Sequence, residues 1–179
     1  IKPTDIILDA PLSYDQGIGL PKWKPANYTK KFYGPSPVRL GIEKSRNLMT
    51  ARLALLVSMK NIKKYGNNFG IYDNLPNLLS MSLGAGETTL LRLTTAYAMI
   101  VNGGKKISPF FIDRVQDRRG KTILKNDLRK CKNCESNNLN NQNKIPILVD
   151  ERDQITDPGS AYQMVSMLRG AVTRGTGRL

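Results

Sequence analysis

Residues 48–64 carry apolar side chains on two adjacent faces of a predicted helix, so little of the helix circumference is polar. The two faces consist of Leu48, Ala51, Leu55, Met59 and Ile62, and of Met49, Leu53, Leu56 and Val57. A helix with so broad an apolar surface has to be buried on most sides. We therefore predict a central helix that ends at Gly66 and has other elements packed around it.

Capping signals predict three further helices. A serine or aspartate followed by proline is a typical helix start, and such pairs occur at residues 36–37 and 157–158. Thr88 or Thr89 is the expected cap of another helix, which is apolar almost all round and closed by Asn-Gly-Gly. We predict helices over residues 37–44, 90–101 and 157–173, the second of them in the core.

The other segments favour extended chain and loops. Residues 1–35 are dense in proline and glycine, which excludes long helices and leaves one short strand near Asp5–Asp9. Residues 107–126 predict a β-hairpin that turns at residues 117–120. Residues 126–150 are polar and rich in asparagine, and we predict a flexible insertion there.

The chain contains no histidine, and this absence excludes several kinds of chemistry. Ser-His-Asp and Cys-His nucleophilic sites cannot be built from it, nor can histidine-ligated zinc or haem sites. Proton transfer near neutral pH has to use lysine, a carboxylate, tyrosine, or a serine that relays a proton. We predict no metal and no cofactor.

The formal net charge is +14, which is compatible with an anionic partner. Nucleic acid, a lipid surface and an anionic wall polymer all fit this sign. The basic residues are scattered, however, as on an ordinary solvated surface, and no recognised nucleic-acid motif accompanies them. A basic module that binds nucleic acid or an anionic surface is the alternative function, and we expect no nucleic-acid partner.

Cys131 and Cys134 are the only cysteines. Two thiols without histidine are too few for a structural zinc site, and an asparagine-rich context does not favour a redox motif. A local disulfide and two unpaired thiols in a loop both remain open, and the choice depends on the redox compartment.

The strongest candidate for chemistry is Ser45-x-Asn47, at the junction of two predicted helices. The hydroxyl can pass a proton between an amine and a leaving group, and the carboxamide can donate to a substrate carbonyl while accepting from a cation. The alternative is structural, with Ser45 as a turn residue and Asn47 as the N-cap of the next helix. The same short pattern also occurs at Ser136-x-Asn138.

Longer patterns surround this motif. They run from Pro25-x-Asn27-Tyr28 to Glu43-Lys44-Ser45-Arg46-Asn47, from Leu83-Gly84-x-Gly86 to Asn102-Gly103-Gly104, and from Asp157-Pro158 to Arg174-Gly175-Thr176-Gly177. In this order and spacing they resemble the transpeptidase domain of class A penicillin-binding proteins, most closely the 1A type. The resemblance covers residues 1–179.

The resemblance implies an α+β fold of the serine β-lactamase and D,D-transpeptidase type, here incomplete, with mostly its helical lobe and a β-hairpin. Three motifs line the cleft of that fold: S-x-x-K, S-x-N and K-T-G. Only the second occurs in this chain, so Ser45 would be the proton relay and Asn47 the contact to the substrate carbonyl. Arg174, Gly175, Thr176 and Gly177 would form a substrate-proximal loop that leads to the third motif.

No serine of this chain is followed by lysine three positions later, and K-T-G is absent. We therefore expect a fragment that lacks its nucleophile, is inactive alone, and associates with itself through uncovered apolar surface. The implied partners are peptidoglycan stem peptides, glycan strands derived from lipid II, and β-lactams. The implied location is the periplasmic side of the bacterial inner membrane, in a membrane-anchored parent protein.

Overall fold

The computed structural model describes residues 1–19, 21–134 and 145–178 and has an α+β fold, as predicted. Three antiparallel strand pairs are formed by β1 (Ile6–Asp9) with β2 (Gly34–Pro37), β3 (Arg114–Gln116) with β4 (Thr122–Lys125), and β5 (Cys131–Lys132) with β6 (Ile147–Leu148). The α-helices are α1 (Val38–Glu43), α2 (Asn47–Val57), α3 (Met59–Asn68), α4 (Leu90–Val101) and α5 (Pro158–Thr173). A 3₁₀ helix covers Leu79–Leu83.

The core lies where the first strand pair meets α1, α2 and α5. Its buried side chains are Ile7, Val38, Met49 and Met167, and the partly buried Ile42, Leu53 and Met164 pack against them. Because β2 runs directly into α1, the strand pair fixes where that helix begins. The core therefore holds both ends of the α1–α2 junction in place.

The predicted helix over residues 48–64 is two helices. Ser58 has a φ of 71°, which interrupts the helix between α2 and α3. Only the first half of the segment is buried, at Leu48, Met49, Ala51 and Ala54, and α3 contributes no buried residue. The prediction of one central helix ending at Gly66 is thus wrong, and α3 continues to Asn68 before Gly70 takes the left-handed conformation.

The capping predictions are confirmed for two of three helices. Thr89 caps α4 by accepting from the Arg92 N–H at 3.2 Å, and Asp157 caps α5 by accepting from the Ser160 N–H at 2.8 Å. Ser36 does not cap α1, because it belongs to β2 and the residue at the N-cap position is Pro37. The extended conformation of the strand continues up to the helix start.

Helix α4 is less buried than its composition predicts. Among its residues only Ala96 and Met99 are buried, while Leu90 is 82% exposed and Val101 71% exposed. The prediction of a core helix therefore does not hold for the described residues. Because α4 is apolar almost all round and only one stripe of it is buried, a broad apolar surface of this helix is exposed to solvent.

The predicted hairpin is confirmed as β3 and β4, and its turn is closed by the Asp117 carboxylate. That group accepts from the backbone N–H groups of Arg119 at 2.8 Å and Lys121 at 2.9 Å. All residues of both strands are exposed. The segment predicted as a flexible insertion contains the short pair β5–β6, and residues 135–144, with Ser136, lie outside the described residues.

Among the residues described, no helix is long and apolar enough to cross a lipid bilayer.

Candidate functional site

Ser45 lies in the tight turn that joins α1 to α2, as the sequence predicts. Its φ is 51°, in the left-handed region. The turn is closed by the Ser45 N–H donating to the Ile42 carbonyl and by the Arg46 N–H donating to the Gly41 carbonyl. Ser45 is exposed, so its hydroxyl is accessible at the junction. A non-glycine residue in this conformation costs about 1–2 kcal/mol.

Asn47 is the first residue of α2 and is half-buried. Its side-chain Nδ2 donates to the Ala26 carbonyl at 2.9 Å. The N-cap position belongs to Arg46, and no side chain caps the helix there. The interpretation of Asn47 as the N-cap is therefore wrong, and the amide instead ties the preceding loop to the start of α2.

A buried polar network lies beneath the two motif residues. Asp9 is fully buried and accepts from Asn27 Nδ2 at 2.8 Å and from Arg46 Nη1 at 3.1 Å. Asn27 in turn accepts from the Leu48 N–H through its Oδ1 at 3.3 Å. The guanidinium of Arg46 also lies 3.1 Å from the centroid of the Tyr33 ring. This network joins β1, the loop at residues 25–33 and the start of α2.

The turn after α5 meets the turn after α1. The hydroxyl oxygens of Ser45 and Thr176 lie 3.0 Å apart and share a hydrogen bond. Lys44 Nζ donates to the Arg174 carbonyl at 2.7 Å. Of the loop residues named from the sequence, the structure thus brings Arg174 and Thr176 to the Ser45 turn.

Glu43, the last residue of α1, is 3% exposed although it is acidic. Arg174 donates to its carboxylate from Nε at 2.8 Å and from Nη2 at 2.5 Å, and Arg39 Nη1 lies 3.6 Å away. The Glu43 carbonyl accepts from the Thr176 N–H at 3.0 Å. A buried carboxylate needs such partners because its desolvation is unfavourable.

Sequence reasoning missed both buried acids as structural anchors. Asp9 lies in β1 on the same face as the buried Ile7, and Glu43 lies four residues after Arg39 on α1, a spacing typical of helical ion pairs. Asn27 belongs to the Pro25-x-Asn27-Tyr28 pattern, but nothing in that pattern indicates its contact with Asp9. The alternation of burial along β1 is the signal that identifies Asp9 as an inward-facing residue.

The other singled-out residues lie elsewhere. Cys131 and Cys134 are joined in a disulfide at β5. Nearby, hydrogen bonds from Arg129 hold the pKa of Asp127 well below its usual range, and Arg152 does the same to Asp150. Among the described residues, no group of three His, Cys, Asp or Glu side chains could hold a metal ion.

A cavity of about 770 Å³ lies between residues 102–110, 126–130 and 149–153. Its lining includes neither Ser45 nor Asn47, nor any residue of the Arg174–Gly177 turn. It mixes apolar side chains with ion pairs that are already formed, such as Arg129 with Asp127. The cavity therefore gives no indication of a reaction, and the Ser45 turn remains the candidate site.

Comparison with known proteins identifies the family to which the chain belongs. The model of the penicillin binding protein transpeptidase domain matches residues 1–179. The chain belongs to the penicillin-binding protein transpeptidase family. It is 45% identical over 177 residues to penicillin-binding protein 1A of Rickettsia bellii, and 30% identical over 175 residues to that of Neisseria flavescens. These matches cover 98% and 97% of the chain, but only 22% and 20% of the relatives.

Solved structures of penicillin-binding proteins share the fold. Penicillin-binding protein 1A from Haemophilus influenzae matches with a TM-score of 0.79 at 23% identity, over 99% of this chain and 28% of that one. The penicillin G acyl-enzyme complex of penicillin-binding protein A from Mycobacterium tuberculosis matches with a TM-score of 0.68 at 15% identity, over 96% and 39%. The chain thus spans about a fifth of the length of the curated relatives it matches.

Proposed function

We propose that this chain is part of the transpeptidase domain of a peptidoglycan synthase and supplies the second of three cleft motifs to a serine-type D,D-transpeptidase. Ser45 is the proton relay of that site, and Asn47 contacts the amide carbonyl of the stem peptide. The single observation that supports this most is the exposed Ser45 hydroxyl at the α1–α2 junction, in a chain that matches the family over its whole length. This position is occupied by serine although its φ is left-handed, a conformation that glycine would adopt without strain.

In the proposed reaction, a nucleophilic serine outside this chain attacks the carbonyl carbon of the penultimate D-Ala. Its proton passes to a lysine base, an ester forms, and the C–N bond to the terminal D-Ala breaks. The leaving nitrogen takes a proton from Ser45 Oγ, and Ser45 is reprotonated by the lysine. The Ser45 hydroxyl is therefore unchanged at the end of the step, as a relay requires. An amine of a neighbouring stem peptide then attacks the ester and restores the serine.

The proposed partners follow from this reaction. Stem peptides of glycan strands derived from lipid II are the substrates, and β-lactams acylate the same serine. A site of this kind works on the periplasmic side of the inner membrane, in a membrane-anchored protein. We expect the chain by itself to be inactive, because it contains no S-x-x-K sequence.

The test is acylation by a labelled penicillin, measured as a rate in the longer protein that contains this chain. Ser45→Ala is expected to slow acylation by roughly 10²–10⁴-fold, the usual contribution of positioned proton transfer. Ser13→Ala is a matched control, because Ser13 is an exposed serine of the N-terminal loop. An unchanged rate in the Ser45 variant would reduce Ser45 to a turn residue. Labelling of the isolated chain would contradict the assignment of the nucleophile to another segment.

A further inference from the structure

The buried carboxylate of Glu43 connects the two turns that carry Ser45 and Thr176. We infer that Glu43 is a positioning residue, which holds the Arg174–Gly177 turn against the Ser45 turn so that the Thr176 hydroxyl orients the Ser45 hydroxyl. The inference rests on the proposed function of Ser45. It adds a role for two residues, Glu43 and Thr176, that the cleft motifs do not include.

Glu43 accepts hydrogen bonds from the Arg174–Gly177 turn through both its side chain and its backbone. The carboxylate accepts two hydrogen bonds from the Arg174 guanidinium, in the bidentate geometry that is most specific for this pair. The backbone carbonyl of the same residue accepts from the Thr176 N–H at 3.0 Å. Two attachments to residues 174 and 176 fix the position and the orientation of the turn between them.

The close approach depends on two glycines. A Cβ at Gly175 would overlap the Glu43 carbonyl oxygen and lie 2.7 Å from Ala171 Cα. A Cβ at Gly170 would overlap Glu43 Oε1 and lie 2.9 Å from Arg174 Nη2. The end of α5 thus leaves no room between its backbone and Glu43, which keeps the Thr176 hydroxyl within hydrogen-bond distance of Ser45.

The Thr176 hydroxyl matters because a serine relay has one hydrogen and must point it at the right atom. When Thr176 donates to Ser45 Oγ, the Ser45 hydrogen is free to point toward the leaving group. When Ser45 has given its proton away, the same Thr176 donor stabilises the oxygen until it is reprotonated. Both roles need the hydroxyl of Thr176 and the 3.0 Å separation, but neither needs Thr176 to touch the substrate.

A double-mutant cycle tests this coupling in the longer protein that contains the chain, again with the rate of acylation by a labelled penicillin. Thr176→Val removes the hydroxyl at nearly constant volume, and Thr176→Ser keeps it. We expect Thr176→Val to slow acylation by roughly 3- to 10-fold, the size of one net hydrogen bond, and Thr176→Ser to recover most of that loss. In a Ser45→Ala background, Thr176→Val is expected to change the rate by less than about twofold, because the two residues act as a unit.

Glu43→Gln tests the anchor in the same way. It removes the charge that holds Arg174 but keeps the side-chain volume. We expect Glu43→Gln to lower the acylation rate when Ser45 is present, and to leave the rate unchanged in the Ser45→Ala background. Asp73→Asn is the matched control, because Asp73 forms a bidentate pair with Arg92 on an exposed surface. The melting temperature of each variant shows whether the protein used in the rate measurement is folded.

The outcomes separate this inference from the proposed function. If Ser45→Ala acylates at the normal rate, the proposed role of Ser45 fails and this inference fails with it. If Ser45→Ala is slow but Thr176→Val costs a further full increment in that background, only the inference is overturned. A folded Glu43→Gln variant that acylates normally would also overturn it, and would leave Glu43 as a purely structural residue.

Discussion

Asn27 donates from its side-chain amide to the fully buried carboxylate of Asp9 at 2.8 Å, across 18 positions of sequence. The same amide nitrogen donates to the Lys31 carbonyl at 2.9 Å, and the amide oxygen accepts from the Leu48 N–H. One side chain thus serves a strand, a loop and the first turn of α2. The Asn47 side chain donates a hydrogen bond to the Ala26 carbonyl in that loop. The position of Asn47 therefore depends on Asn27.

Replacing Asn27 by alanine is therefore expected to destabilise the fold. The substitution leaves the Asp9 carboxylate and the Leu48 N–H short of buried partners, at a cost of about 2–3 kcal/mol, which corresponds to a melting temperature lower by roughly 5–10 °C. Thermal unfolding measures this effect. Asn61→Ala is the control, because the Asn61 side chain donates to the Val57 carbonyl at an exposed position. Equal melting temperatures for the two variants would contradict the anchoring role of Asn27.

Replacement of two glycines of this region by alanine is expected to affect stability very differently. At Gly41 the new Cβ would meet the end of the flexible Met49 side chain, at 3.0 Å from Cε, and the gain in helix propensity of about 1 kcal/mol opposes this crowding. At Gly175 the new Cβ would overlap the backbone at Glu43, which cannot yield. We expect Gly41→Ala to change stability by less than about 1 kcal/mol and Gly175→Ala to cost about 2–3 kcal/mol.

Chemical denaturation of both variants measures the difference in unfolding free energy. The Gly175→Ala protein is expected to be the less stable of the two. A Gly175→Ala protein as stable as the Gly41→Ala protein would show that the α5 end is free to move away from Glu43. In that case the Thr176 hydroxyl would not be held at the Ser45 turn by packing.

The local features of the fold could be predicted from sequence because they depend on neighbouring residues. Thr89 and Asp157 cap their helices as expected, since a cap needs only its own side chain and the backbone three residues later. The hairpin turn at Asp117 was predictable for the same reason. The Ser45-x-Asn47 junction lies between α1 and α2 as expected, since one helix was predicted to end near Lys44 and the next to begin near Leu48.

Burial could not be predicted in the same way, since it depends on elements distant in sequence. Leu55 and Leu56 belong to the same apolar surface as Leu48, yet they are exposed, because the described elements cover only the first half of the segment. Glu43 and Arg174 are separated by 131 positions, and no local pattern indicates their pairing. The resemblance implied that the loop at residues 174–177 lies near the site, but nothing in the sequence indicated the hydrogen bond between the hydroxyls of Ser45 and Thr176.

Ser58 is strained, and its replacement by glycine is expected to stabilise the protein. Its φ of 71° and ψ of 143° lie in a region that glycine adopts far more readily than serine. Its side chain caps neither helix. Ser58→Gly should therefore raise stability by about 0.5–1 kcal/mol, even after the entropic cost of a more flexible unfolded chain. Denaturant midpoints measure the change.

Ser160→Gly is the control for that substitution. Ser160 lies in the first turn of α5 with ordinary helical backbone, where glycine is expected to destabilise by up to about 1 kcal/mol. Opposite signs at the two serines would confirm that the conformation of Ser58 is the cause. A lower stability for Ser58→Gly would mean that its side chain has a favourable role.

Asp127 provides a prediction of pH dependence. Hydrogen bonds from Arg129 lower the pKa of Asp127 in the folded protein, whereas an unfolded aspartate has a pKa of about 3.9. The folded state therefore binds this proton more weakly, so the stabilising contribution is fully present above about pH 4 and is lost as the pH falls toward the folded pKa. Carboxyl chemical shifts measured by NMR during acid titration should place the Asp127 midpoint below 3.9. Arg129→Gln should return the pKa of Asp127 to the ordinary range. Arg118→Gln is the control, because it removes an arginine that has no ion pair with Asp127, and it should leave the pKa of Asp127 low. An ordinary midpoint in the unsubstituted protein would contradict the pairing of Asp127 with Arg129.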